Sequence, residues 1–115
     1  MEVLTQKQKQ VLAEARSTYG YRNQLAVAAE ECNELAIAVL KFMRYDNTLD
    51  GIDETRENVL EERADVEVIL NHIDAIYGIA PEELQNAVNG KIDRLQRWLK
   101  KSNDLAVSMS DREVN

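Results

Sequence analysis

The sequence predicts an all-α fold, a bundle of about four helices with an antiparallel central pair. The chain has 115 residues with only four glycines and one proline, which favours long uninterrupted helices. Apolar residues recur at the spacing of one helix face, and no segment alternates convincingly at period two. This length suits one domain, which we assign to residues 1–101, followed by a polar tail at 102–115 that we expect to be mobile.

Capping residues predict the ends of the first two helices. The first helix is expected over residues 5–19 and to end near Gly20, since glycine commonly terminates a helix. The second is expected over residues 23–44, because Asn23 is a favourable N-cap residue. The short connection between them predicts that they pack as neighbours.

The second half of the chain predicts two further helices. A polar connection at 46–54 precedes a third helix over residues 55–77, with Gly78 as its C-cap. Pro81 suits the first turn of a fourth helix, because its missing N–H has no partner there in any case. This helix is expected to end near Lys101, where basic residues favour the negative end of the helix dipole.

The composition excludes several classes of partner. A net charge of −7 opposes non-specific binding to the phosphates of nucleic acid, so we expect no nucleic-acid polymer as a ligand. A phosphate ligand must therefore arrive with metal ions or meet a local cluster of Lys and Arg. No apolar run approaches the roughly 20 residues of a membrane span, and no signal peptide is visible. The single cysteine, Cys32, excludes an internal disulfide and is expected to pack in the core, so we expect a cytoplasmic protein.

Four acidic residues carry the main chemical signal. Glu31 and Glu34 lie one turn apart on the second helix, as do Glu62 and Asp65 on the third. Two like charges about 4 Å apart repel by roughly 4 kcal/mol at an effective dielectric near 20. Converging acids would therefore hold protons at raised pKa or hold a cation. Carboxylates without Cys and with little His nearby suit Mg²⁺, with Mn²⁺ as a second possibility.

Both acidic pairs continue apolar stripes that we predict to face inward. On the second helix, with Glu31 at its edge, the stripe comprises Val27, Glu30, Glu34, Ile37, Ala38 and Lys41. On the third helix the stripe comprises Glu62, Asp65, Val66, Ile69, Ile73 and Ile76. We expect a level antiparallel pairing of these helices to offset the two acidic pairs. The pairs would then meet only if the helices are staggered or crossed.

The order of these acids resembles the signature of the MazG-like nucleotide pyrophosphohydrolases. In that family ExxE is followed, after a variable gap, by ExxD, and here the two halves are Glu31-x-x-Glu34 and Glu62-x-x-Asp65. The family's Asn-x-Lys-x-x-Arg segment is similar to Asn89-Gly90-Lys91-Ile92-Asp93-Arg94. The similarity covers residues 28–98, most of the chain.

The resemblance implies an enzyme that hydrolyses a nucleoside triphosphate to the monophosphate and pyrophosphate. It implies Mg²⁺ held by the four acids, which would be both catalytic and metal-binding, and a homodimer or homotetramer. A bound metal would clamp the phosphates and activate a water for attack on the α-phosphorus. None of the assigned residues contacts the base, so base and sugar preference stay open.

Five further residues are predicted to contact the substrate. Lys91 and Arg94 lie one turn apart and suit phosphate, and Asn89 suits the sugar or a phosphate oxygen. Lys41 and Arg44 follow the acids on the second helix. They either neutralise phosphate charge or form ion pairs with the acids, and the sequence favours neither.

Three alternatives compete with the enzyme. Residues 46–57 partly match a twelve-residue calcium loop, although Asp53 occupies a position that is normally aliphatic. A di-iron bundle needs Glu-x-x-His pairs, whereas the only histidine, His72, does not follow a glutamate at that spacing and is expected to pack. A helical binding or scaffold module would keep its acids solvated and show no metal dependence.

Overall fold

The structure, a computed structural model, describes residues 2–45 and 52–114. Within these ranges it contains four helices and no strand, which confirms the all-α prediction. The helices are α1 (Gln6–Tyr19), α2 (Tyr21–Tyr45), α3 (Ile52–Tyr77) and α4 (Pro81–Val114).

Side-chain capping and a single glycine fix the ends of α1. The Thr5 hydroxyl accepts a hydrogen bond from the Gln8 N–H at 3.1 Å, and the Thr5 N–H donates to Gln8 Oε1 at 2.8 Å, which forms a capping box. Gly20 ends the helix at φ 84°, a conformation that side chains disfavour. Because this one residue makes the whole turn, α2 begins at Tyr21 and not at Asn23 as predicted.

The later helix ends differ from their predictions in one important place. Helix α3 begins at Ile52, three residues earlier than predicted, and Gly78 follows its end at φ 66°. Helix α4 begins at Pro81 as predicted, but the prediction that it ends near Lys101 is wrong. Residues 102–114 are helical because this segment contains no glycine or proline to interrupt the backbone hydrogen bonds.

Helices α2 and α3 form an antiparallel hairpin that holds the core. The antiparallel direction shows in the residue numbers that meet across the two helices. Glu31 of α2 lies near Asp65 of α3, whereas Phe42, later on α2, lines a cleft with Arg56, earlier on α3. Among the residues that the structure describes, the buried apolar side chains are Ala28, Ala38, Val66 and Ile69. Two alanines on α2 let the helices approach closely, but they also leave this core small.

Helix α1 packs on the hairpin more lightly. None of its residues is buried, and it contacts both α2 and α3. A cleft of about 210 Å³ remains beside it, lined by Leu4, Gln8, Val11, Leu12 and Val68. The apolar attachment of α1 is therefore incomplete.

The chain divides into two compact units, residues 1–78 and residues 79–115. Helix α4 belongs to the second unit and carries an exposed apolar stripe, comprising Leu84, Val88, Ile92, Leu95 and Leu99. Among the described helices, none has a stretch long and apolar enough to cross a membrane. Cys32, expected in the core, is exposed, because it lies on the outer side of α2.

Candidate metal site

The chain connectivity brings the two acidic pairs to the same level of the hairpin. Glu31 and Glu34 lie 15 and 12 residues before residue 46, and Glu62 and Asp65 lie 11 and 14 residues after residue 51. Antiparallel helices that flank one connection align residues at equal distances from it. The structure thus decides a point that the sequence left open, since acids of the two pairs lie together.

Three of the four acids converge directly. Carboxylate oxygens of Glu31, Glu62 and Asp65 all lie within 4.8 Å of one another. Glu34 joins them, since its charge and its side-chain hydrogen bonding act on both Glu31 and Glu62. The structure thus gathers all four predicted acids into one group, which we call the acidic cluster.

Burial and like charge both oppose ionisation in the acidic cluster. Burial raises the pKa of Glu31, and the charges of Glu34, Asp65 and Glu62 raise it further. Burial also raises the pKa of Glu62, followed by the effect of Glu34. Glu31 Oε2 and Glu62 Oε2 are buried without a hydrogen-bond partner among the described residues. Burying such oxygens costs free energy unless a proton, a hydrogen-bond donor or a cation compensates them.

The inward face of α2 differs from its prediction by about a quarter of a turn. Ala28 and Ala38 are buried and Glu31 is half-buried, whereas Ile37 is 57% exposed and Lys41 is exposed. Glu31, predicted at the edge of the inward-facing stripe, therefore lies at the interface between the helices. Residues Glu30 and Glu34, predicted to face inward, are exposed.

The stripe predicted on α3 agrees with the structure at its centre. Val66 and Ile69 are buried, and Glu62 and Ile73 are half-buried. Asp65 is exposed, so it lies with Glu34 at the solvent side of the cluster. The cluster thus has an inner pair, Glu31 and Glu62, and an outer pair, Glu34 and Asp65.

The two basic residues of α2 that were predicted to contact the substrate, Lys41 and Arg44, are exposed. Within the described residues, neither Lys41 nor Arg44 forms an ion pair with the four acids. Arg56 on α3 was missed by the sequence reasoning. It lies five residues after residue 51, and Lys41 lies five before residue 46, so the two occupy one level of the hairpin. Equal spacing from the connection was the signal that would have found it.

An apolar cleft of about 150 Å³ lies between α2 and α3, on the side of the acidic cluster nearer the connection. Its lining residues are Val39, Phe42, Arg56 and Val59. Val59 precedes Glu62 by one helical turn. The cleft therefore lies one helical turn along α3 from Glu62, and its lining is apolar even where Arg56 contributes to it.

The three residues predicted to bind substrate from the fourth helix are exposed on α4, in the second compact unit. Asn89 Oδ1 accepts a hydrogen bond from Gln85 Nε2 at 2.8 Å. Arg94 lines a shallow groove together with Arg97, Trp98 and Lys101, whose Nζ lies 5.8 Å from the Trp98 ring centre. Along α4 these cations form a basic surface in an otherwise acidic protein.

The calcium-loop alternative falls partly outside the described residues, which exclude Asp46, Thr48, Asp50 and Gly51. Its seventh position, Ile52, already begins α3. A calcium loop uses the backbone carbonyl of that position as a ligand. In a helix that carbonyl accepts a backbone hydrogen bond instead, so the described half does not fit the loop.

Comparisons of the chain with protein-family models, with curated proteins and with solved structures found no match. The resemblance to the MazG-like enzymes therefore stays a prediction that rests on the residues quoted above.

Proposed function

We propose that this protein is a Mg²⁺-dependent nucleoside triphosphate pyrophosphohydrolase that releases a nucleoside monophosphate and pyrophosphate. The observation that carries the proposal is the acidic cluster at the middle of the α2–α3 hairpin. Its inner acids have buried oxygens without partners, and their pKa values are raised. A divalent cation would compensate both the charge and the missing partners.

The donor set fits a hard cation. The cluster offers only carboxylate oxygens, with no Cys or His, which favours Mg²⁺ or Mn²⁺ over Zn²⁺. Neighbouring ligands of one octahedral Mg²⁺ lie about 3 Å apart, given metal–oxygen distances near 2.1 Å. One oxygen each of Glu31, Glu62 and Asp65 lies within 4.8 Å of the others, so the three carboxylates are near enough for one ion to draw them together.

Each residue assigned to the site then has a distinct role. Mg²⁺ held by the four acids would neutralise charge on the phosphates and would lower the pKa of a water for attack on the α-phosphorus. Glu31 and Glu62 hold negative charge where burial limits competition from water. Glu34 and Asp65 lie on the solvent side, from which a triphosphate approaches. Lys41 and Arg44 are exposed and carry no ion pair with the cluster, so they remain available for phosphate.

The motif shared with the MazG-like family assigns further substrate contacts to residues of α4. Lys91 and Arg94 would bind phosphate oxygens, and Asn89 would orient the sugar or a phosphate. We assign a homodimer or homotetramer as the working form. The small core of the hairpin and the exposed apolar stripe of α4 support this assignment, because a second copy would bury surface that one chain leaves in water.

The test is pyrophosphate release from a panel of canonical and modified nucleoside triphosphates, with Mg²⁺ and with EDTA. Glu34→Gln and Asp65→Asn should each lower the activity at least about 100-fold. This loss exceeds what is typical when a residue that only orients a metal ligand is substituted. Their helical circular dichroism should be unchanged, because both side chains are exposed.

Glu67→Gln is the matched control, since this half-buried acid of α3 pairs with Arg63 at 2.8 Å and lies outside the cluster. It should retain full activity. Absence of turnover for every triphosphate would contradict the proposal and favour a helical binding module. Loss of fold in both cluster variants would make the acids structural.

A further inference from the structure

A second polar group joins α1 to α3, away from the acidic cluster. Arg16 of α1 donates a hydrogen bond from Nη1 to Asn71 Oδ1 of α3 at 3.2 Å. The same Nη1 lies 3.1 Å from His72 Nδ1. We call these three residues the arginine–histidine cluster. The expectation that His72 packs in the interior is confirmed, since its side chain is only 3% exposed.

The contact with Arg16 fixes the protonation state of the imidazole. A guanidinium can only donate hydrogen bonds, so His72 Nδ1 must accept and can carry no proton. The neutral ring then holds its single proton on Nε2. Burial lowers the pKa of His72, and the positive charge of Arg16 lowers it further. Geometry and electrostatics therefore agree on a neutral histidine.

Helix α1 depends on this contact because its other contacts are light. It has no buried residue, and a cleft of about 210 Å³, lined in part by Val11 and Leu12 of α1 and by Val68 of α3, stays unfilled beside it. Arg16 is the charged group of α1 that acts on His72. From α2, the residue at the level of His72 is Gln24, which is buried and uncharged. No acid among the described residues offsets the positive charge at this position.

We propose that His72 is a proton-sensitive latch for α1. While the imidazole is neutral, its Nδ1 accepts from Arg16 and holds α1 on the hairpin. Protonation removes the acceptor and sets two cations about 3.1 Å apart in a buried position, so α1 is released. The hairpin of α2 and α3 remains folded, because its own core does not include α1.

The direction of the pH effect follows from linkage. A histidine whose folded-state pKa is lowered binds fewer protons when α1 is docked than when α1 is free. Docking is therefore strongest above the ordinary histidine value of about 6.5 and weakens as the pH falls through the lowered value. At most one proton per chain is taken up, so the docking equilibrium changes at most about tenfold per pH unit.

Two measurements on the full chain test the latch. The protein has a single histidine, so one imidazole signal in nitrogen NMR reports both its pKa and its tautomer. Amide hydrogen exchange, corrected for intrinsic rates, reports the release of residues 6–19. Between pH 7.5 and 5.0 we expect α1 exchange to increase about tenfold or more, with α2–α3 protection unchanged. The increase should follow the titration of His72.

His72→Gln is the matched variant, because a glutamine oxygen can accept from Arg16 but does not titrate. Its α1 exchange should be independent of pH over the same range. An equal increase in this variant would overturn the proposal, as would constant α1 exchange in the wild type. If the variant fails to fold, the wild-type signals decide: a proton on Nδ1, or a pKa at or above the ordinary value, contradicts the latch.

Discussion

Two polar groups of the first compact unit, the acidic cluster between α2 and α3 and the arginine–histidine cluster between α1 and α3, differ in how their side chains are satisfied. In the arginine–histidine cluster, the guanidinium meets two acceptors, and the buried imidazole is neutral. In the acidic cluster, acids of like charge converge, and two buried oxygens have no partner. The side chains of the arginine–histidine cluster find hydrogen-bond partners within the chain, whereas the acidic cluster needs an added cation or added protons.

This difference separates a structural role from a binding role. A buried polar group that is fully paired stabilises one arrangement of helices, and removing a partner destabilises it. A group of like charges destabilises the empty fold and gains when a ligand of opposite charge binds. The two groups should therefore respond in opposite directions to substitution, and only the acidic cluster should respond to metal.

The largest expected effect is stabilisation by metal. Mg²⁺ at 100 times its dissociation constant should raise the free energy of unfolding by about 2.7 kcal/mol. Glu62→Gln should abolish this gain, because it removes an inner carboxylate of the cluster. Thermal denaturation with and without Mg²⁺ measures both. An equal shift in wild type and variant would place the metal elsewhere.

The next effect concerns the paired group. Arg16→Ala should lower the free energy of unfolding by about 1–3 kcal/mol, because Asn71 and His72 lose a donor at a partly buried position. Urea denaturation at pH 7.5 measures the loss. Lys7→Ala, at an exposed position of the same helix, should change little. Equal losses in the two variants would mean that Arg16 contributes no specific contact.

A smaller effect should appear in the pH dependence of the metal-free protein. The pKa of Glu31 is raised in the fold, so its neutral form is favoured there, and the resulting stability is lost as the pH rises through the raised value. Glu31→Gln should flatten this fall and raise the stability above that pH. Melting temperatures from pH 4 to 8 in EDTA measure it. A variant less stable than the wild type at pH 8 would show that Glu31 has a structural partner.

The smallest effect calibrates the others. Arg63 and Glu67 form an ion pair at 2.8 Å, four residues apart at the surface of α3, with Arg63 exposed and Glu67 half-buried. Arg63→Ala should change the free energy of unfolding by about 0.5 kcal/mol or less, since water and salt screen such pairs. A loss above 1 kcal/mol in urea denaturation would mean that the surface of α3 packs against something further, such as a second copy.

Much of the fold could be predicted from local signals. Thr5, Gly20, Gly78 and Pro81 mark helix ends through capping and backbone preference, which act within a few residues and need no tertiary information. The end of α4 could not be predicted from the polar character of residues 102–114, because polarity does not end a helix when no breaker is present.

The candidate site divides in the same way. Spacing along the sequence places Glu31 with Glu34 and Glu62 with Asp65, one turn apart, on two helices. The rotation of α2 about its axis was predicted wrongly by about a quarter of a turn, since Ile37 looked inward from periodicity but is exposed. Alanine-rich helices show only a weak difference between their faces, so periodicity leaves their rotation undetermined.

The sequence by itself determined the four helices, the identity of the acidic pairs and the net charge of −7, because these depend on residue type and short-range spacing. Only the tertiary structure decided that Glu31 and Glu62 turn inward while Glu34 and Asp65 face solvent. It alone brought Arg16 within 3.1 Å of His72, across 56 positions of sequence. Contacts between residues far apart in sequence depend on how each helix is rotated and packed. That arrangement is determined jointly by all the close-packed side chains of the interface.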